Sequence, residues 1–168
     1  MYFTIKQSVL YLVDELTTDR NEIHFSRLAN EIFIRLQNEG ILYEIKKNNF
    51  LTLFEEAQFI AERNVQFVNP IIKNALQEFK KNGGHVYLVS DFYGSKNLIK
   101  RLLDYHGLGS IFNDIYISSD VGKSKSTGSI YNHVLSGLNV QPQKVLMIGD
   151  DQHSDCLLYT SPSPRDRG

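Results

Sequence analysis

The chain has little of several features that would decide its class at once. Its 168 residues include one cysteine, Cys156, which excludes a disulfide framework and fits the reducing environment of the cytosol. Basic residues number 18 and acidic residues 19, so the formal net charge is -1. A protein without a basic surplus has no extended positive field to hold a nucleic-acid backbone. We therefore expect no nucleic-acid partner.

Long uninterrupted apolar runs are also missing. The N-terminal stretch MYFTIKQSVLYLVDEL is broken by Lys6, Asp14 and Glu15, and it has neither a basic leader nor a small-residue cleavage site. These properties differ from those of a signal peptide or a membrane span. With 42% hydrophobic and 22% charged residues, the composition is that of an ordinary soluble globular domain. The sequence predicts a cytoplasmic protein without a membrane partner.

The first 68 residues predict helices, because their apolar residues recur at helical intervals. One stripe runs between Ile23 and Leu36, and Gly40 follows where helices commonly end. A second stripe is expected to face the interior, and it comprises Leu51, Phe54, Ala57 and Ala61. The acidic residues between these positions are expected to face solvent, namely Glu55, Glu56 and Glu62. We assign residues 1–68 to a helical cap region.

From residue 69 onward, helices alternate with strands. Asn69 and Pro70 predict the cap and first turn of a helix. Its inward stripe is expected to be Ile72, Ala75, Leu76 and Phe79. Short β-branched and aromatic runs predict buried strands at 85–90, 114–118 and 144–150. Strands separated by helices form parallel, doubly wound sheets, so we predict an α/β core over residues 69–156.

The last dozen residues interrupt this alternation. A helix should follow the third strand, but Pro162 and Pro164 stand among serines, and a helix interior tolerates neither proline. The string CLLYTSPSPRDRG resembles translated sequencing-adapter sequence, and a natural disordered tail is the alternative. We expect residues 157–168 to be a non-native or disordered tail that contributes nothing to the core.

Polar residues follow each predicted strand, at the edge where parallel sheets place their chemistry. Ser90 and Asp91 end the first strand, and Lys125 lies in the loop after the second. The third strand ends in a carboxylate cluster made of Asp150, Asp151 and Asp155. A hydroxyl and an ammonium can hold phosphate oxygens, while carboxylates can bind Mg²⁺. The set predicts phosphoryl chemistry with a magnesium cofactor.

Each of these residues also has a simpler interpretation. A serine at a strand end is commonly a turn residue, and a single lysine is most often solvated. The three aspartates at the end of the third strand could cap a helix. Lys123 could exchange roles with Lys125, two residues further on. The functional interpretation depends on the three signals occurring together and in order.

The segments VSDFYGSKNLIKRLL, IYISSDVGKSKSTGSIY and VLMIGDDQHSD resemble motifs II, III and IV of the haloacid dehalogenase superfamily. More narrowly, they resemble its bacterial members with a small helical cap. The resemblance covers residues 69–155 well, whereas the front half resembles the family only in its general helical pattern. It implies a Rossmann-type α/β core preceded by a helical cap, and a small phosphorylated substrate.

The resemblance also implies roles for single residues. Ser90 and Lys125 match the catalytic residues that hold the phosphate, and Asp91 is expected to line the substrate pocket. Asp150 matches the magnesium ligand and Asp155 its acidic partner. Asp151 stands in a position that other residues also occupy in the family. The implied reaction is attack by an aspartate on phosphorus, followed by hydrolysis of the aspartyl-phosphate.

The family's first motif has no complete match in the chain. That motif is a strand ending in D-x-D-x-T, which supplies the nucleophile and the general acid/base. The nearest approach is VLYLVDELTT, in which Asp14 is followed by Leu16 at the place of the second aspartate. Because Leu16 cannot transfer protons and the surrounding stripe is helical, we expect the motif to lie upstream of Met1 in a lost segment. A non-catalytic domain that binds a phosphorylated ligand or a protein partner is the alternative.

Overall fold

The computed structural model of the chain describes residues 25–151, 153–156 and 158. Their elements in chain order are α1 (Phe25–Asn38), α2 (Lys47–Val65), α3 (Pro70–Lys81), β1 (Tyr87–Ser90), α4 (Lys96–Tyr105), β2 (Asp114–Ile117), the single turn α5 (Ser118–Val121), α6 (Ser129–Leu138) and a 3₁₀ turn (Pro142–Lys144). No helix of these described ranges combines the length and apolarity that crossing a membrane requires.

Local chemistry sets the predicted helix ends. The Asn69 side chain accepts the backbone N–H groups of Ile71 and Ile72 at 3.0 and 3.3 Å, which caps α3 as expected. Gly40 has a φ of +68° and closes α1, while the Ile41 N–H bonds the carbonyl of Leu36. Only a residue without a Cβ adopts this left-handed conformation at little cost. Both predicted ends are confirmed.

The described strands form one parallel sheet, and α4 covers it. β1 and β2 pair in register from Tyr87 opposite Asp114 to Ser90 opposite Ile117, so their carboxyl ends reach the same edge. The apolar face of α4 packs on the sheet in one buried cluster that also includes Phe59 of α2; its other members are Leu98, Ile99, Leu102, Leu103, Ile115 and Ile117. The predicted α/β class is confirmed, with an incomplete Rossmann-type core.

Residues 144–150, predicted as a third strand, join no strand of the described sheet. Lys144 ends a 3₁₀ turn, and the sheet that the described residues form consists of β1 and β2 alone. A strand is defined by ladder hydrogen bonds to a neighbour, and no third strand is placed beside 144–150 within these residues. Burial still alternates along it, since Leu146 and Ile148 are exposed while Val145 and Met147 pack against a second core cluster.

That second cluster corrects the expectation about the tail. Ile130, Tyr131 and Leu135 of α6 form it together with Leu158, which is 3% exposed. Leu158 had been assigned to the segment expected to contribute nothing, yet it lies in the core. The expectation failed because the prolines that break the helical pattern begin four residues later, at Pro162. Residues 159–168, like the Asp14 motif candidate, lie outside the described residues.

Two helices present faces that differ from the predicted ones. The buried residue of α2 is Phe59, while Ala57 and Ala61 are exposed. Glu55 and Glu62 lie about one turn from Phe59, and their carboxylates accept hydrogen bonds from Asn97 of α4 and from Tyr93 in the loop before α4. In α3 no residue is buried, and the predicted stripe residues Ile72 and Phe79 are exposed, because no described element covers that stripe.

Candidate functional site

The structure brings four of the predicted site residues to one cavity. Its volume is about 360 Å³, and it lies between the carboxyl end of β1 and residues 147–150. Its polar lining includes Ser90, Lys125, Asp150 and Asp155. The link between α2 and α3, residues 66–68, forms part of the wall. Of these four residues, Ser90 lies at the end of a described strand, while Lys125 follows α5 and the two aspartates follow residues that join no described strand.

Lys125 and Asp155 form a partly buried ion pair within this cavity. The Lys125 Nζ donates to Asp155 Oδ1 at 2.7 Å, with the two side chains 16% and 7% exposed. Burial alone would raise the pKa of Asp155, but the hydrogen bond from Lys125, the backbone N–H of Asp151 and the lysine charge outweigh it, so its pKa is lowered. Asp155 is therefore ionised at neutral pH and holds the ammonium in place.

Lys125, rather than Lys123, lies on the cavity. Its backbone is held by Asp91, whose Oδ1 and Oδ2 accept the Lys125 N–H at 2.7 and 3.0 Å. Asp91 is exposed and is not among the residues that line the cavity, although it had been expected to line the substrate pocket. Of the two lysines that the sequence left open, only Lys125 is among the described residues that line the cavity.

Asp150 and Asp151 are adjacent in sequence but differ in placement. Asp150 is exposed at the cavity. The Asp151 Oδ1 instead accepts the backbone N–H groups of His153 and Ser154 at 2.9 and 3.1 Å. Hydrogen bonds from Ser154 and from the His153 amide lower the pKa of Asp151. Asp151 therefore caps the turn that carries Asp155, which is the simpler of its two interpretations.

Gly149 leaves the space that the Asp155 carboxylate occupies. A Cβ added at Gly149 would overlap the Asp155 carboxyl group. The Asp155 Oδ2 also accepts the backbone N–H of Asp151 at 3.1 Å, so the carboxylate is wrapped by the backbone that precedes it. A glycine before the aspartates is needed here for close approach rather than for an unusual backbone angle.

A comparison with known protein families gives a match over most of the chain. The sequence model of the haloacid dehalogenase-like hydrolases matches residues 7–157. The chain belongs to this family. A comparison with curated proteins finds no matching relative. Membership in the haloacid dehalogenase-like hydrolases supports hydrolysis as the class of reaction, and the matched range begins ahead of Asp14, where the first motif was sought.

Haloacid dehalogenase-like hydrolases typically use Mg²⁺, so the carboxylates of the site matter as possible ligands of that ion. Magnesium prefers about six oxygen ligands in near-octahedral geometry. Among the described ranges, no group of three or more His, Cys, Asp or Glu side chains is placed to hold a metal. Asp155 is engaged by Lys125, and Asp151 faces backbone amides. By themselves, the described carboxylates do not complete a magnesium site.

Tyr131 is a site residue of this hydrolase that the sequence interpretation missed. Its hydroxyl donates to Asp155 Oδ1 at 3.2 Å, and the residue is 1% exposed. Burial, the charge of Asp155 and this hydrogen bond raise the pKa of Tyr131, which keeps it a neutral donor. One signal was available: a tyrosine beside Ile130 in an apolar stripe needs a partner for its hydroxyl.

Two buried serines hold the loop that follows Ser90. Residues 91–95, the serine loop, connect β1 to α4. The Ser118 Oγ accepts the Phe92 N–H at 3.1 Å, and the Ser119 Oγ donates to the Gly94 carbonyl at 2.9 Å. Both serines are 1% exposed, and neither lines the cavity. The two serines therefore fix the serine loop to the residues that directly follow β2.

Proposed function

We propose that the chain is a phosphate-ester hydrolase domain whose cavity holds the phosphate group of a small phosphorylated substrate. One observation carries this proposal: the Ser90 hydroxyl and the Lys125 ammonium line the same cavity, although 35 positions separate them in sequence. A hydroxyl donor and a cation on one wall are what a phosphate oxygen needs. Family membership supports the hydrolytic class.

Lys125 can serve the phosphate without leaving Asp155. An ammonium has three N–H donors, and the ion pair with Asp155 uses one of them. The other two remain for phosphate oxygens in the cavity, while Asp155 fixes the direction of the side chain. Ser90 donates its hydroxyl from the end of β1, on the opposite element of the same cavity. Together they would orient the phosphate before any bond changes.

Magnesium dependence belongs to the same proposal. When bound, the ion would offset negative charge on the phosphate oxygens. Asp150 is the residue best placed to hold it, because it is exposed at the cavity. The remaining oxygen ligands would come from outside the described residues or from the substrate. We therefore expect weak Mg²⁺ binding by this chain, measured by titration calorimetry, and tight binding abolished by Asp150→Asn would show a more complete site.

Turnover requires a carboxylate in line with phosphorus, and neither Ser90 nor Lys125 is expected to supply it. The motif candidate Asp14 lies outside the described residues. We expect the chain to hydrolyse p-nitrophenyl phosphate at the background rate with Mg²⁺ present, and an added upstream D-x-D-x-T strand to restore turnover. Turnover above background by the present chain, abolished in Asp14→Asn, would instead identify Asp14 as the nucleophile.

Binding of inorganic phosphate tests the core of the proposal. Lys125→Ala is expected to weaken binding about tenfold or more, since it removes a charge-assisted contact, and Ser90→Ala by a smaller factor. Lys123→Ala is the matched control, because it removes the same charge two residues away and off the cavity. Equal effects of Lys123→Ala and Lys125→Ala in an NMR titration would contradict the assigned site. Binding without turnover in the strand-restored chain would favour the non-catalytic alternative.

A further inference from the structure

Asp91 stands next to Ser90 but is not among the residues that line the cavity, and its carboxylate accepts hydrogen bonds from backbone amides. Both of its oxygens accept the Lys125 N–H, at 2.7 and 3.0 Å, and Oδ2 also receives the Ser126 N–H at a longer 3.4 Å. The segment that it contacts, residues 122–128, is called the lysine loop below. One carboxylate thus joins the serine loop to the lysine loop.

We propose that Asp91 is a positioning residue that sets the lysine loop against the end of β1, so that the Lys125 ammonium and the Ser90 hydroxyl face the same phosphate. This proposal rests on the proposed function for its ligand. It assigns Asp91 no contact with substrate. The role expected from sequence, in which Asp91 lines the substrate pocket, is replaced by one exerted through the backbone of Lys125.

The geometry explains why the lysine needs support at its backbone. Lysine has four rotatable side-chain bonds, so fixing its ammonium requires constraints at both ends of the side chain. Asp155 constrains the Nζ end at 2.7 Å, and Asp91 constrains the backbone end at the same distance. Lys125 itself lies in a bend between α5 and α6 and has no helical or ladder hydrogen bonds of its own.

The serine loop gives Asp91 a fixed base. The next residue, Phe92, is held through its N–H by the buried Ser118, and the Gly94 carbonyl is held by the buried Ser119. Both serines follow β2 directly, so the serine loop is tied to the sheet itself. Through its hydrogen bonds to Lys125, Asp91 therefore fixes the lysine loop relative to the edge of the sheet.

Hydroxyl groups within the lysine loop, and one just after it, form hydrogen bonds with one another and with the loop backbone. The Ser124 Oγ lies 2.9 Å from Ser126 Oγ and 3.1 Å from Thr127 Oγ1, and the Ser124 N–H donates to Ser129 Oγ at 3.2 Å. These contacts shape the loop internally but do not connect it to β1. Among the described residues, the side-chain hydrogen bonds of Asp91 connect the lysine loop to the serine loop.

A role in contacting the phosphate makes the opposite prediction for the same variant. A carboxylate beside a bound phosphate repels it, so removing its charge would tighten phosphate binding. A carboxylate that positions Lys125 has the reverse effect, because its removal lets the ammonium depart from the phosphate. The sign of the change in affinity therefore separates the two roles.

The experiment compares the full chain with Asp91→Ala and Asp91→Asn, using inorganic phosphate as the probe and ¹⁵N-resolved NMR as the readout. Asp91→Ala removes the contacts with both the Lys125 and the Ser126 amides, and it is expected to weaken phosphate binding about fivefold, the factor that one net hydrogen bond typically contributes. It is also expected to shift the Lys125 and Ser126 amide signals and speed their hydrogen exchange. Asp91→Asn keeps one acceptor oxygen and should fall between, which also covers the case in which the alanine variant folds poorly.

Asp120→Ala is the matched control, since Asp120 is an exposed aspartate on α5 and is not among the cavity-lining residues. It should move neither the affinity nor the two amide signals. Unchanged Lys125 and Ser126 amides, or tighter phosphate binding, in Asp91→Ala would overturn the proposal. If the unaltered chain binds no phosphate, the proposed function fails, and the two amide signals in Asp91→Ala still decide whether Asp91 holds the lysine loop.

Discussion

The two sides of β1 differ sharply in packing. On one side, here called the packed side, β2 and α4 bury Leu98 and Ile117 completely, at 0% exposure each. On the other, here called the open side, the α2–α3 link and the residues Leu146 and Ile148 present apolar side chains to solvent, with Phe67 90% and Leu146 79% exposed. The cavity and its polar residues lie on the border between them.

This difference separates two kinds of site residue. Lys125 and Asp155 are each held by identified hydrogen bonds, and Asp91 stands on a loop tied to the sheet. Asp150 stands on the open side and is exposed. Side chains that bind a ligand need neighbours that hold them rigidly, because a misplaced hydrogen-bond donor loses most of its contribution to binding. The packed side therefore supplies the positioned part of the site.

The largest effect is expected from cutting into the packed side. Ile117→Ala should lower the free energy of unfolding by about 2–5 kcal/mol, since it leaves a cavity in a fully buried cluster. Ile148→Ala, on the open side and 50% exposed, should cost less than about 1 kcal/mol. Urea denaturation followed by circular dichroism measures both. Similar losses in the two variants would mean that the open side is covered in solution.

Lys125→Met is expected to cause the next largest loss in the free energy of unfolding, about 3 kcal/mol near pH 7. The substitution leaves the buried Asp155 carboxylate without its cation. The lowered pKa of Asp155 means that the ion pair stabilises the fold above the unfolded value of about 4 and loses that effect as pH falls through the folded value. The gap between the variant and the parent should therefore shrink below about pH 4.

Denaturation curves at pH 7 and pH 3 measure this gap. Lys123→Met is the matched control, since the same substitution there leaves Asp155 with its partner. A gap that stays the same at both pH values would show that Lys125 acts through packing of its aliphatic stem. In that case, the ion pair between Lys125 and Asp155 would not be what stabilises this part of the fold.

The elements that sequence predicted best are those decided within a few residues. Asn69 caps α3 through amides two and three positions away, and Gly40 ends α1 through its own backbone angle. Both depend on local chemistry, which a sequence displays directly. Ser90 lies at the end of β1 as predicted, but Lys125 and Asp155 line the same cavity without directly following a described strand.

Features set by distant neighbours could not be predicted in this way. The contacts of Asp91 with Lys125 and of Tyr131 with Asp155 join residues 34 and 24 positions apart. The buried face of α2 depends on which elements it meets, so the sequence did not predict the hydrogen-bond partners of Glu55, Glu56 and Glu62. Leu158 joined the core for the same reason, since α6 supplies its neighbours.

Tyr93→Phe tests how firmly α2 is tied to the serine loop, and we expect a loss of about 0.5–1.5 kcal/mol. The Tyr93 hydroxyl donates to Glu62 Oε1 at 2.5 Å. Burial, with the hydrogen bond and charge of Glu62, raises the pKa of Tyr93 to about 12. Because the folded value lies above the unfolded one, this contribution persists below about pH 10 and is lost only as pH rises through the folded value.

A double-mutant cycle with Glu62→Ala, which removes the acceptor of the Tyr93 hydroxyl, isolates this pair from the rest of the interface. Each single variant should cost about the same, and the double variant little more than either. Tyr43→Phe is the control, since Tyr43 is highly exposed and lies before α2. Additive losses would mean that Tyr93 and Glu62 stabilise the chain separately. The helical region would then meet the packed side through apolar contacts alone.

Glu56→Gln should have the smallest effect, about 0.5 kcal/mol or less, and that effect should vanish in high salt. Its carboxylate pairs with Arg101 at 2.5 Å, but both side chains are more than a third exposed, so water and salt screen the attraction. The Arg101 guanidinium also lies 4.2 Å from the ring centroid of Phe59, which keeps it in place when Glu56 is neutralised. Glu44→Gln, an exposed change before α2, is the control. A salt-insensitive loss above 1 kcal/mol in Glu56→Gln would show that charge, rather than Phe59, joins α2 to the packed side.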